Sequence, residues 1–462
     1  MVTWPSLVFF VLVVVFFVVP GYRRRASPGS FFLAGRRART GTVMGSLVAT
    51  CLGASATSGL VARAYLLGWP AVWWLWAGSI GLALLGIVWV PVMRSRPSTR
   101  TLPEWAGDTY GMPARMLAAG VIDVMWIAVI AAQWTAAGSV FSVMLGWPIQ
   151  AGILLSACCV TGYTMFGGQS AVLRTDRWQL GLLGLAIVAA GVFALRLPRS
   201  EGWFPVSGYR LTGLFAVSPL DWLAVVLVVG GMYVVGPDLC SRVLVAQDRR
   251  SARTGALLAA ACVFLAAFVI VGTGVAIRLS GQTLASPREA LPWLINGSGV
   301  VPAWAGAFIN AGLLAAMLSS ADTCLLTAGS VLELDLFGRR HDAKKQEGRG
   351  RFWIALIGAL SALLACVRPR IIPNMLLAYA FYAGGLLVPL LLLARPRLAR
   401  AVPRSVVHWS IVIGGGAPVL LLLTGRASST ARAGLAGAGV CAAVLLAGYI
   451  WRRLGRAGMG SS

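Results

Sequence analysis

Gly53-Ala54-Ser55-Ala56-Thr57-Ser58-Gly59 and Gly230-Gly231-Met232-Tyr233-Val234-Val235-Gly236-Pro237-Asp238 are two places where a long apolar run loses its helix-forming chemistry midway. Glycine costs a helix about 1 kcal/mol relative to alanine, and proline removes a backbone donor. Both stretches lie inside runs long enough to span a bilayer, near 42–66 and 219–242. The second run is five spans after the first, and an odd offset makes it enter the membrane from the opposite side. Interrupted helices at matching positions of two inverted halves point to a site near the bilayer midplane. Uncoiled backbone exposes carbonyl oxygens there, and those are cation ligands. That the glycines only let helices pack closely is the competing reading.

Composition supports a membrane protein. Of 462 residues, 58% are hydrophobic and 11% charged, with a mean hydropathy of +0.81, which excludes an ordinary soluble domain. Apolar runs fall at 5–20, 42–66, 70–93, 116–144, 148–166, 171–196, 219–242, 254–278, 303–334, 352–367, 373–394, 406–424 and 433–451. The expected fold class is an all-α polytopic membrane protein with about thirteen transmembrane helices in a single domain over 1–462. Within it, 42–196 and 219–394 form the inverted core repeats, and 5–20, 406–424 and 433–451 are peripheral.

The net charge of +25 would suit nucleic acid, but 29 of the 39 Lys and Arg fall in alternate loops, on one side of that span pattern. Arg242 is counted among them. The positive-inside rule then puts the N-terminus outside and the C-terminus in the cytoplasm of a multi-pass cell membrane protein. The partners expected are the lipid bilayer and a small solute, with no nucleic acid; the chain names no oligomeric state, and a monomer suffices. Arg23-Arg24-Arg25 follow the run Ser6–Pro20 instead of preceding it, so a retained first helix is expected and not a signal peptide. The eight cysteines include no C-x-x-C pair, which speaks against zinc, and neither zinc nor disulfides are expected. Phe337–Gly350 reads as a flexible linker, and Ser286-Pro287-Arg288-Glu289 as a helix start with capping-box spacing. Trp105 and Trp203 are among the tryptophans expected at the membrane interfaces.

The ninth run carries Ala316-Met317-Leu318-Ser319-Ser320-Ala321-Asp322-Thr323. Hydroxyls and a carboxylate at that depth are a functional signal by default. On a helix Ser319, Asp322 and Thr323 share a face, with Ser320 beside them. They supply hard oxygen donors suited to Na⁺. No nucleophile–base pairing, phosphate loop or metal-ligand cluster is legible, so the chain is not expected to be an enzyme.

Several segments together resemble the sodium:solute symporter family: Phe31-Phe32-Leu33-Ala34-Gly35-Arg36-Arg37, Ser46-Leu47-Val48-Ala49-Thr50, Tyr163-Thr164-Met165-Phe166-Gly167-Gly168, Thr175-Asp176 with Gln179, and Ala315-Ala316-Met317-Leu318-Ser319-Ser320. The resemblance implies the five-plus-five inverted repeat of the leucine-transporter type. It also implies a sodium site made by the carbonyls of Ala49, Leu52 and Ala316 and the hydroxyls of Ser319 and Ser320. A second ion would use Asp176, Asp322 and Thr323. The plainer reading of Asp176 is a helix-end charge paired with Arg174 or Arg177. Tyr233 and Pro237 resemble substrate-lining residues of bacterial proline symporters, and Gly53, Ser55 and Gln133 would complete a small pocket, with Trp134 beside it. An aspartate those symporters carry in the first core helix is Cys51 here.

Other charges have simpler expectations. Asp123 pairs with Arg115 or meets solvent, Asp238 caps a half-helix or bridges Arg242, and Arg63 snorkels. The functional expectation is a sodium-coupled symporter importing a small organic solute by alternating access, with an amino acid such as proline the first guess and Na⁺ the only cofactor. A proton-coupled transporter and a transporter-like membrane sensor are the alternatives.

Overall fold

The structure, a computed structural model, describes residues 4–13, 31–96, 99–198, 213–214, 218–337, 343–369, 371–427 and 429–458. All regular elements among them are helices, and ten are long and apolar enough to cross a membrane. In chain order they are α1 (Trp4–Val13), α2 (Thr40–Cys51), α3 (Ser58–Leu67), α4 (Trp69–Arg94), α5 (Leu102–Tyr110), α6 (Met112–Leu145) and α7 (Ile149–Leu195). They continue as α8 (Pro219–Val235), α9 (Pro237–Leu244), α10 (Arg249–Leu279), α11 (Ala290–Asn296), α12 (Ala303–Leu336) and α13 (Ala343–Val367). Then come α14 (Ile371–Tyr382, running on through Leu392), α15 (Pro396–Ala401), α16 (Arg404–Leu423) and α17 (Thr430–Gly458).

Helix α7 has 47 residues. At 1.5 Å per residue it would reach about 70 Å, more than twice the hydrocarbon core of about 30 Å. It breaks at Gly168, whose φ of 54° and ψ of −152° are not helical. This yields the two spans expected at 148–166 and 171–196. Phe31 fits into the kink: its carbonyl accepts the Gln169 N–H at 2.8 Å, and a Cβ on Gly168 would come within 2.6 Å of that oxygen.

The two interrupted runs are interrupted in the structure. One divides into α2 and α3 around residues 52–57, the other into α8 and α9 at Gly236. Helix α12 is the axis of the bundle, its most apolar stretch wholly buried, and it packs on α6, α7 and α2. Burying a helix on every side leaves its polar groups only protein partners, which is why its hydroxyls matter. Helices α16 and α17 pack on each other and on the α14 bend at Ala383–Leu387, where Gly384 and Gly414 let backbones touch.

Three local expectations are corrected. The linker at 337–350 is shorter, because α13 begins at Ala343 and Arg349 reaches back to Glu333 at 2.7 Å. Trp105 is a core residue, 1% exposed, against Trp89. Ser286 does cap the turn before α11, but through the Arg288 N–H at 3.4 Å. Arg63 lies over the Trp74 ring at 5.8 Å. The Arg23–Arg25 cluster and Trp203 fall outside the described residues.

Candidate functional site

Helix α2 stops because Leu52 turns away at φ −93° and ψ 41°, and α3 starts only at Ser58. Inside the turn the Ala56 and Thr57 N–H groups both bond the Gly53 carbonyl at 3.1 Å, and Gly59 bonds Ala54 at 3.0 Å. The carbonyls of Ala49 and Leu52 take no part in these bonds. A helix end leaves such acceptors looking for another partner.

Helix α12 faces that end. The Ser320 hydroxyl donates toward the Thr50 carbonyl at 3.0 Å and the Ala316 carbonyl at 3.1 Å. A Cβ on Gly53 would stand 2.5 Å from Ser320 Oγ, so the glycine permits this approach. Ser319 donates to Asp176 Oδ1 at 2.5 Å. With its proton committed, each hydroxyl still has lone pairs to offer. The structure therefore brings Ala316, Ser319 and Ser320 of α12 against the end of α2 that carries Ala49 and Leu52, and oxygen atoms of this kind are ligands for a hard monovalent cation.

Beside it lies a denser polar cluster. Asp176 is fully buried, accepts from Ser46 and Ser319, and sits 3.7 Å from the guanidinium of Arg242. Arg242, 1% exposed, also donates to Thr323 Oγ1. Asp322 accepts from Tyr163 at 2.6 Å and Thr175 at 3.2 Å, and Thr323 approaches Thr50 at 3.3 Å. Asp176 is thus no helix-end charge: Arg177 donates to Thr42 at 3.2 Å instead. Nor is Arg242 a loop charge. It is a buried cation among the three residues assigned to a second ion.

A cavity of about 40 Å³ adjoins both groups. It is lined by Gly53, Ser55, Gln133 and Tyr233, together with Asp238 and Tyr379; Pro237 stays just outside it. Gln133 Oε1 accepts the Ala54 N–H at 3.3 Å, and Tyr233 reaches the Cys51 carbonyl at 3.4 Å. Tyr233 is braced by Gly78, where a Cβ would lie 2.7 Å from its ring. Trp134 is packed away in the core. Asp238 opens the half-helix α9, its carboxylate taking the Leu239 N–H. The cavity has room for roughly a few waters, so an organic solute requires side chains to move.

The two faces of the bundle differ. On the α11 side, cavities of about 280 and 410 Å³ reach inward, and the larger shares Ser55, Trp74 and Met375 with the central one. On the α5 side polar contacts close the bundle. Arg115 bonds Asp335 at 2.8 Å, Thr101 bonds the same carboxylate at 3.0 Å, and Ala38 pairs with Val245 and Gln247 through the backbone at 3.0 Å each.

Sequence reading missed Arg242, Asp238, Ser46, Tyr163, Thr175 and Tyr379 as members of these groups. Tyr163, Ser46 and Thr175 stood in the quoted motifs, and Asp238 and Arg242 were noted only as neighbours of each other. The profile of the sodium:solute symporter family matches residues 31–197 and 207–395. A sodium/glucose cotransporter of Vibrio parahaemolyticus is 23% identical over 351 residues, covering 67% of this chain and 63% of that protein, so the match spans less than two thirds of the relative. A sodium/proline symporter of Staphylococcus aureus is 24% identical over 383 residues, covering 78% and 72%. Among solved structures, a Na⁺-coupled sialic acid symporter in a substrate-bound outward-open state superposes with a TM-score of 0.82 at 18% identity, over 98% of each chain. A nucleobase-cation-symport-1 family transporter in a closed conformation gives 0.57 at 14%, over 91% and 94%. At these identities the likeness is one of fold.

Proposed function

Because the chain belongs to the sodium:solute symporter family, we propose that it imports a small organic solute with Na⁺ by alternating access. One observation carries this reading: Ser320 of α12 bonds the Thr50 carbonyl at the uncoiled end of α2, the end that also carries Ala49 and Leu52. In this reading 42–196 and 219–394 are the moving repeats, and α1, α16 and α17 are peripheral. The N-terminus is outside and the C-terminus cytoplasmic. The cavities on the α11 side then open outward, and the Arg115–Asp335 pair closes the cytoplasmic face.

Sodium bound between α2 and α12 fixes the end of the broken helix and completes the pocket next to it. One charge crossing about 100 mV contributes roughly 2.3 kcal/mol, and a tenfold sodium gradient adds about 1.4 kcal/mol. Together they sustain a several-hundredfold solute gradient per ion. We assign one Na⁺ to the cycle. Arg242 already sets its own positive charge against Asp176 and Thr323, the oxygens that would hold a second ion, and a further cation beside it meets like-charge repulsion.

The solute class follows from Asp238. Proline symporters carry an aspartate where this chain has Cys51; here a carboxylate lines the same small cavity from α9 instead. An ammonium group suits that position, which favours an amino acid or another amine-bearing solute, proline included. Uptake of radiolabelled amino acids into liposomes, driven by Na⁺ or by a pH gradient alone, tests the reading. Uptake that follows pH and ignores sodium overturns it in favour of proton coupling.

A further inference from the structure

Asp123 takes no part in the cation and solute sites. It is 6% exposed within α6, and among the described residues neither carboxylate oxygen has a hydrogen-bond partner. The partner expected from sequence is taken: Arg115 bonds Asp335 at 2.8 Å and the Leu334 carbonyl at 2.9 Å, and lies 4.0 Å from Glu104. Another carboxylate, Asp335, lies in the turn Leu332–Leu336 that packs on α6. Asp335 itself leaves Oδ2 without a partner.

The position of these oxygens carries the meaning. Down α6, Gln133, Trp126 and Arg115 share one face, and Asp123, three residues before Trp126, stands about 80° round the helix from Gln133 and Arg115. Down α12, Ser320, Cys324, Thr327, Val331 and Asp335 recur every three or four. Both rows start at the central cavity, which Gln133, Trp126, Ser320 and Cys324 line, and both end at the Arg115–Asp335 closure. Asp123 stands between. A carboxylate held in a membrane span without a partner is expensive, and here the turn packed on its helix brings a second carboxylate, Asp335, and no cation of its own. A partner that comes and goes removes that cost, and it must be positive.

We propose that Asp123, with the open oxygen of Asp335 below it, is a station for Na⁺ on its way from the midplane site to the cytoplasmic face. Parting of Arg115 from Asp335 takes the competing cation off the lower carboxylate and leaves its Oδ1 with the Thr101 hydroxyl alone, so opening that face strengthens the station as the upper site lets go. This rests on the sodium-transport reading, and the test separates the two.

The measurement is equilibrium ²²Na⁺ binding to the purified full-length chain by scintillation proximity, with unlabelled NaCl or choline chloride as competitor; no solute is needed. Ser319→Ala with Ser320→Ala should remove the midplane component and leave a weaker NaCl-competable one. Adding Asp123→Asn should reduce that residue of signal about tenfold, and Asp123→Glu should keep it. Asp123→Asn alone should hold or raise the thermal midpoint, since it deletes an unpaired buried charge. A weaker component that is absent, or is indifferent to Asp123→Asn, overturns the station. So does a marked fall in thermal midpoint with binding unchanged, which would make Asp123 structural. Serine substitutions without effect on ²²Na⁺ binding would instead sink the midplane site.

Discussion

The two broken spans solve one problem in different ways. The first uncoils over residues 52–57, and at the end of α2 the Thr50 carbonyl accepts the Ser320 hydroxyl of α12. The second breaks at a single residue, Gly236, and restarts at once with Pro237 and Asp238. The first break offers acceptors and suits a bare cation. The second offers a carboxylate on a fresh helix start and suits an amine. An inverted repeat thus need not be chemically symmetric: the device is shared, and in the proposed reading the residues that fill it divide the work between ion and solute.

That division can be broken by experiment. The largest effect is expected from Ser319→Ala with Ser320→Ala. Each hydroxyl facing a charge is worth about 1.5–3 kcal/mol, so the half-saturating sodium concentration should rise at least about a hundredfold, measured by ²²Na⁺ binding. Unchanged affinity would end the cation assignment of the first break. Asp238→Asn should weaken an amine-bearing solute by about ten- to a hundredfold on the same scale, with the sodium midpoint within about twofold. Equal losses for both ligands would erase the division.

Two glycine substitutions sharpen the comparison further. A Cβ on Gly53 would press on Ser320 Oγ at 2.5 Å and on Gln133 Nε2 at 3.1 Å. Gly53→Ala should therefore lower sodium affinity about tenfold, by a cost of roughly 1–3 kcal/mol for overpacking. A Cβ on Gly236 would stand 2.8 Å from Asp238 Oδ1, so Gly236→Ala should act on solute competition and spare the sodium curve. The smallest effect belongs to Tyr233→Phe. Its bond to the Cys51 carbonyl is long, at 3.4 Å, and its loss should change solute affinity by about two- to threefold. A tenfold change in a competition profile would show that Tyr233 touches the solute directly.

Both breaks, the split of α7 and the serines of α12 were legible in the chain before any contact was known. Gly168 and Gly236-Pro237 disrupt helices by their own backbone chemistry, and Ser319-Ser320 stand out because lipid-depth hydroxyls are costly. The charged pairings were not legible. Arg242 was counted as a loop cation because it follows a proline break and precedes a basic stretch, yet it turns inward to Asp176, 66 residues earlier in the chain. Asp123 looked like the natural mate of Arg115, two turns away on one helix, until Asp335 took that arginine.

Hydropathy, glycine and proline act over a turn or two of chain, so span number, break positions and the donor-rich face of α12 follow from local order alone. Which carboxylate meets which cation depends on how separate helices rotate and seat against one another, because a buried charge settles on whatever partner packing delivers. Arg242 against Asp176, Asp238 across from Cys51 and Asp123 without a hydrogen-bond partner among the described residues are results of that seating.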